Sequence, residues 1–99
     1  MEKKAGVPVI VCSGEHGRAV VYGLASGPLV PGEPVTLRRA RMVLRWDVHG
    51  LFGFAAAGPR GDTRLTHEVE ETTITRWTES LAVSPAARAA IEGWRAYGG

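Results

Sequence analysis

The chain has 99 residues, with 12 Lys and Arg against 10 Asp and Glu and a formal net charge of +2, which is enough for one domain and too little for two. At 44% hydrophobic and 22% charged residues it has the composition of a folded chain, not a disordered one. No stretch approaches the roughly 18 uninterrupted apolar residues of a membrane span, and the charged start, residues 1–4, leads only into the short apolar run 7–12, too short for a signal peptide. The single cysteine, Cys12, cannot close an internal disulfide, so the expected compartment is the reducing cytoplasm.

Charge is unevenly spread. Residues 1–64 carry nine basic and five acidic side chains, and residues 65–99 three basic and five acidic, so the two parts attract one another. Arginine outnumbers lysine ten to two, a bias that a GC-rich genome explains without any demand for guanidinium chemistry.

Residues 7–12 (VPVIVC) are β-branched and run into Ser-Gly, as a strand entering a turn does, while Pro8 lacks a ladder donor and implies a late start or an edge position. Residues 13–17 form the expected turn and 18–25 (RAVVYGLA) the returning strand of a hairpin. Three prolines and two glycines in residues 26–34 exclude regular structure there. From Pro34 to Trp46 the pattern is that of a long strand, with Ala40, Met42, Leu44 and Trp46 on an apolar face. Arg39, Arg41 and Arg45 share the other face with Val35, Leu37 and Val43. Residues 47–58 hold Leu51, Phe52, Phe54 and Ala55, spaced for a short helical turn over a sheet end, and residues 59–63 (PRGDT) read as a turn. From Glu68 a strand pattern runs to Val83, with Trp77, Leu81 and Val83 in phase and Ile74 out of phase, which implies a bulge or break near 75–77. Ser84-Pro85 opens a helix, the serine as N-cap and the proline at the first helical position; Ala87, Ala90, Ile91 and Trp94 make its apolar stripe and Gly98 can cap its end. The expected architecture is α+β, mostly β: one domain over 1–99, an antiparallel sheet of four or five strands and one C-terminal helix.

Few patterns carry chemistry. His16, His49 and His67 stand singly, in no spacing used by a local metal site, so neither metal nor cofactor is expected. Cys12, Ser13 and His16 share a turn, but no nucleophile elbow or oxyanion signature accompanies them, and a non-enzymatic protein is expected. Two glycine turns, 13–18 and 58–64, have backbone donors that can cradle an anion, and the second adds Arg60, Arg64 and the Thr63 hydroxyl. The densest feature is the set Arg38, Arg39, Arg41 and Arg45, which must face solvent, phosphate or acids; Glu68, Glu70 and Glu71 are the available acids, within the chain or from a neighbour.

The order of AVVYGL at 19–24, Arg39-Ala40-Arg41 followed by Trp46, Gly58-Pro59 with Arg64-Leu65, Thr73-Ile74-Thr75 and the Ser84-Pro85-x-Ala87 helix start resembles a family of small uncharacterised phage and prophage proteins. The resemblance extends over residues 7–94 and departs in the proline-rich loop 26–34. It implies a virus-encoded accessory or host-takeover protein, acting in the host cytoplasm, and supplies no catalytic residues.

The functional expectation is a homo-oligomeric module that holds a small anionic, nucleotide-like ligand, such as a host defence signal. Arg39, Arg41 and Arg45 would provide charge, Arg60 and Arg64 the loop contacts and Trp46 a stacking surface. Two alternatives use the same arginines: a nucleic-acid-binding accessory, or a subunit of a ring or virion part in which they meet a neighbour's acids.

Overall fold

The computed structural model describes residues 6–13, 19–48 and 50–97. The elements run β1 (Val7–Ser13), β2 (Ala19–Ala25), β3 (Val35–Arg45), α1 (Gly50–Ala57), β4 (Arg64–Leu65), β5 (Val69–Ile74), β6 (Glu79–Ala82) and α2 (Pro85–Gly93). All strand pairs are antiparallel, in the order β4-β3-β2-β1-β6, with β5 also on β3. The sheet therefore has six strands, more than expected from sequence, because β4 and β5 pair in succession with the same long strand. A two-residue strand such as β4 is too short to leave a period in the sequence.

β1 and β2 form the expected hairpin, paired from Val7 with Ala25 to Ser13 with Ala19. Residues 14–17 of its turn, with His16, the greater part of the first glycine loop, His49 and the Gly98 cap lie outside the described residues. β1 starts on time and lies inside the sheet, between β2 and β6. Pro8 is tolerated there because β6 ends at Ala82, opposite Val9; Pro8 offers only its carbonyl, which accepts from Val83 N at 3.3 Å.

β3 departs most from its sequence pattern. Tyr22 pairs with Arg41 and Leu24 with Arg38, so Arg39 and Ala40 together oppose Gly23. The extra residue is a β-bulge, and Arg39 sits in the left-handed region at φ 51°. Beyond a bulge the side chains exchange faces. Val35, Leu37 and Ala40 are buried on one face of the sheet, and Val43 on the other beside Arg41. Met42, Leu44 and Trp46, expected in the core with Ala40, are 40%, 49% and 38% exposed instead. Arg39 and Arg41 both reach α2, at Glu92 and Ile91, on the side of Val43, whereas Val35 and Leu37, expected beside them, lie on the other face.

The phase slip expected near residues 75–77 is a complete break. β5 lies outside β3 and β6 outside β1, four strand spacings apart, which is about 19 Å in a flat sheet. The connection 75–78 reaches about 17 Å at full extension, and it also travels from the Val35 end of the sheet to the Cys12 end. The sheet must therefore curl. Inside the curl Val9, Val11, Val21, Val35 and Leu37 pack together, and Ile74, Leu29 and Trp77 lie against them. Trp77 Nε1 donates to Glu33 O at 2.8 Å, which ties the crossing segment to the proline-rich loop.

The opposite face carries two helices where one was expected. Ile10, Tyr22, Leu24, Val43 and Leu65 meet Phe54 of α1 and Ala87 and Ile91 of α2. The apolar residues 51, 52, 54 and 55 belong to a two-turn helix, anchored by the buried Phe54 and Ala55. α2 starts as expected: Ser84 Oγ accepts from Ala87 N at 3.0 Å, Pro85 follows, and the hydroxyl donates to Ala56 O of α1 at 2.7 Å. The helices touch at Gly58, φ 94°, where a Cβ would stand 2.8 Å from Ala90 Cβ. Among the described residues no helix is long and apolar enough to cross a membrane.

A side chain at Gly23 would put its Cβ 2.6 Å from Leu37 Cβ, so Gly23→Ala must spread β2 and β3 at the bulge and is expected to cost about 1–3 kcal/mol in denaturant titration. Gly27→Ala, whose Cβ meets nothing within 4 Å, is the control and stays within about 0.5 kcal/mol of the parent.

Candidate functional site

The turn after Gly58-Pro59 is built by its own side chains. Thr63 N donates to Arg60 O at 3.0 Å, Thr63 Oγ1 donates to the same carbonyl at 2.6 Å, and Arg60 N donates back to Thr63 Oγ1 at 3.1 Å. Gly61 takes φ 53° at the tip, close under Asp47, where a Cβ would lie 3.3 Å from Oδ2. Two ion pairs tie the turn to the end of β3: Arg60 Nε to Asp47 Oδ2 at 3.8 Å and Arg45 Nη2 to Asp62 Oδ2 at 3.3 Å.

The tail after α2 closes against this turn. Trp94, the C-cap, donates Nε1 to Thr63 O at 3.1 Å. Ala96 bridges in parallel to Leu65, and Tyr97 N donates to Leu65 O at 2.8 Å. Between turn and tail runs a groove of about 440 Å³, with Gly61, Asp62, Thr63 and Arg64 on one wall and Trp94, Arg95 and Tyr97 on the other. The Arg64 guanidinium carbon stands 4.5 Å from the Tyr97 ring centroid, in cation–π range, and the ring is 55% exposed. Neither Arg64 nor Arg95 has a carboxylate partner among the described residues. The one acid in the lining, Asp62, is engaged by Arg45, so the groove offers two guanidinium groups and an aromatic face, a combination suited to an anion with a planar group.

Of the residues singled out from sequence, Arg64 lines this groove, and Arg45 and Arg60 brace its turn through Asp62 and Asp47. Trp46 follows Arg45, partly exposed. Arg39 and Arg41 stand apart from it. Arg41 is only 5% exposed; its Nε donates to Thr66 O at 2.8 Å and its Nη1 to Ile91 O at 2.6 Å, fastening the end of α2 to β3. Burial lowers its pKa from the ordinary arginine range, and Glu68 opposes that shift. The cation sits against a helix C-terminal carbonyl, where the helix dipole favours it. Arg39 faces acids of its own chain, Glu68 at 3.3 Å and Glu92 at 3.9 Å, and Arg38 stands directly opposite Glu71 in the β3–β5 ladder. Arg95 and Tyr97 escaped the sequence reading because about thirty residues separate them from the turn; their one signal was a polar-aromatic tail just beyond a helix end.

A second polar cluster lies under α2. Tyr22 Oη donates to Glu92 Oε2 at 3.2 Å, and Arg88 Nε holds the same oxygen at 3.0 Å. Burial first, then the Glu92 charge and hydrogen bond, push the Tyr22 phenol from 10.0 up to about 12. Among the described residues no group of three or more His, Cys, Asp or Glu is placed to hold a metal ion, and Cys12 is half-buried against the helix-side core.

These features define a small β-rich domain with a curled antiparallel sheet, two helices on one face and a polar groove at the end of the second helix. The chain belongs to the family described as a domain of unknown function, DUF6948, which matches residues 6–91. The match spans every strand and stops short of Trp94, so one wall of the groove lies beyond it. No curated protein and no solved structure matches the chain.

Two outcomes follow from these networks. Tyr22 contributes stability that is complete below pH 10.0, its unfolded value, and is lost as pH rises towards about 12; a denaturation series across that window should show a loss that Tyr22→Phe lacks. Arg41→Ala strands the Thr66 carbonyl and leaves Ile91 O only the bond from Trp94 N, and should cost about 1–3 kcal/mol, with Arg41→Lys recovering only part of it because an ammonium lacks the fork that spans both carbonyls.

Proposed function

We propose that the protein is a non-enzymatic, self-associating binding module for a small anionic, nucleotide-like ligand, held in the groove between residues 61–64 and 94–97. The observation that carries this reading is the pairing of Arg64 and Arg95, without carboxylate partners among the described residues, with the exposed Tyr97 ring. A phosphate would accept from the guanidinium groups and a base would stack on the ring. The turn is braced beforehand by Thr63 and by the two ion pairs, so little ordering is required when a ligand enters.

The rival uses of the arginines have less support. A nucleic-acid groove requires a continuous basic track, whereas Arg39 is engaged by Glu68 and the β5 edge carries Glu70 and Glu71. A ring built on intersubunit arginine–glutamate pairs loses its motive when Arg38 and Arg39 meet Glu71 and Glu68 in their own chain. A virus-encoded origin follows only from the sequence resemblance; under it, the bound ligand would be a host signalling nucleotide withdrawn from its receptor.

The direct experiment is to purify the protein from cells, denature it and identify any small molecule released, then measure binding of a mononucleotide and dinucleotide panel by calorimetry. A stoichiometric nucleotide is expected, and Arg64→Ala, Arg95→Ala and Tyr97→Ala should each weaken its binding about tenfold, or about 1.4 kcal/mol. No binding across the panel, or binding indifferent to all three substitutions, would overturn the reading. Nuclease-sensitive absorbance in its place would point to nucleic acid.

A further inference from the structure

β6 is an edge strand with one side unpaired among the described residues. Val83 N donates to Pro8 O, so by the alternation of an antiparallel ladder Leu81 and Glu79 also turn their backbone groups towards β1. Ser80 and Ala82 then direct their N–H and C=O groups outwards, and both residues are exposed. Natural edge strands are normally guarded by a proline, a lysine, a bulge or a covering element. β6 has none of these between Ser80 and Ala82. Only the far end is closed, where Ser84 N donates to Ala55 O of α1 at 3.0 Å.

Beside this edge lies an uncharged apolar hollow of about 470 Å³, lined by Phe52, Ala55, Ala56, Leu81, Ala82 and Val83. Phe52 is 78% exposed on the helix next to the strand. An apolar ring left in water beside open backbone groups is the composition of an interface core.

We infer that β6 pairs antiparallel with β6 of a second copy, across a two-fold axis through Leu81. This register is self-complementary. Ser80 meets Ala82 of the second copy and Ala82 meets its Ser80, so the outward donors and acceptors satisfy one another in two reciprocal pairs. Shifting by one residue would set inward-turned groups opposite outward ones. Around the same axis the two Leu81 side chains become neighbours, and Phe52 of each copy closes over the apolar seam. The seam carries no charge, and the two Glu79 carboxylates, the nearest charges on the strand, are held four ladder positions apart, about 13 Å. A copy of the same chain therefore meets this surface without like-charge opposition, and the sheets of the two copies become continuous.

The inference rests on the self-association in the proposed function and is independent of the groove. It is tested by light scattering and sedimentation on the full chain from micromolar to millimolar concentration, with two variants. Ser80→Pro removes an outward donor without touching the bonds to β1, and Phe52→Glu charges the seam at an exposed position. The parent is expected to be a dimer and both variants monomers of half the mass, with circular dichroism and nucleotide binding unchanged. A parent that is monomeric throughout overturns the inference together with self-association. An oligomer that persists in both variants overturns the β6 pairing and leaves self-association standing.

Discussion

The bulge in β3 is the constraint from which the remaining geometry follows. One extra residue, Arg39 at φ 51°, is accommodated opposite Gly23, the position in β2 with no Cβ to collide with Leu37. A left-handed conformation in a residue other than glycine costs about 1–2 kcal/mol. In return the strand changes faces midway. Its first half fills the inside of the curl with Val35 and Leu37, and its second half turns Arg41 and Val43 towards the helices. Without that exchange Arg41 would not reach the Ile91 carbonyl, and the tail that forms one wall of the groove would lose its anchor upstream.

The curl and the two-sided core support one another. A short connection between opposite edges forces the sheet to bend, and the bend creates an interior that Trp77, Leu29 and Ile74 fill. On the outside, α1 and α2 pack on a surface that already holds Tyr22, Val43 and Leu65. A chain of this length acquires two thin cores in place of one thick one, and each leaves apolar residues at its margin. Met42, Leu44 and Phe52 remain exposed. Association through an edge is the ordinary remedy for a small domain with incomplete burial.

Much of the local structure could be read from the residues themselves. The β1–β2 hairpin, the irregular loop 26–34 and the Ser84-Pro85 helix start are set by β-branched runs, prolines and a capping hydroxyl, all of which act within a few residues. Period-two reading failed at β3 because alternation holds only along an unbroken strand, and nothing in RRARM announces the extra residue. It also joined β5 to β6, since both are strand-like and the four residues between them carry no strong breaker. The candidate site divides along the same line: Arg60 and Arg64 are visible as a basic glycine turn, while nearness in the chain groups Arg39 and Arg41 with Arg45, although only Arg45 reaches the turn.

The sequence by itself determined a β-rich fold, the capped C-terminal helix and a basic turn at residues 58–64, because composition, propensity and capping are local properties. Tertiary structure alone decided which arginines are bound to their own chain and which face the groove, which strands stand at the sheet's edges, and that Arg95 and Tyr97 join Arg64. Those outcomes depend on where a bulge rotates a strand and where a short connection bends a sheet. Both are set by contacts between residues far apart in the chain, such as Gly23 with Leu37 and Arg41 with Ile91.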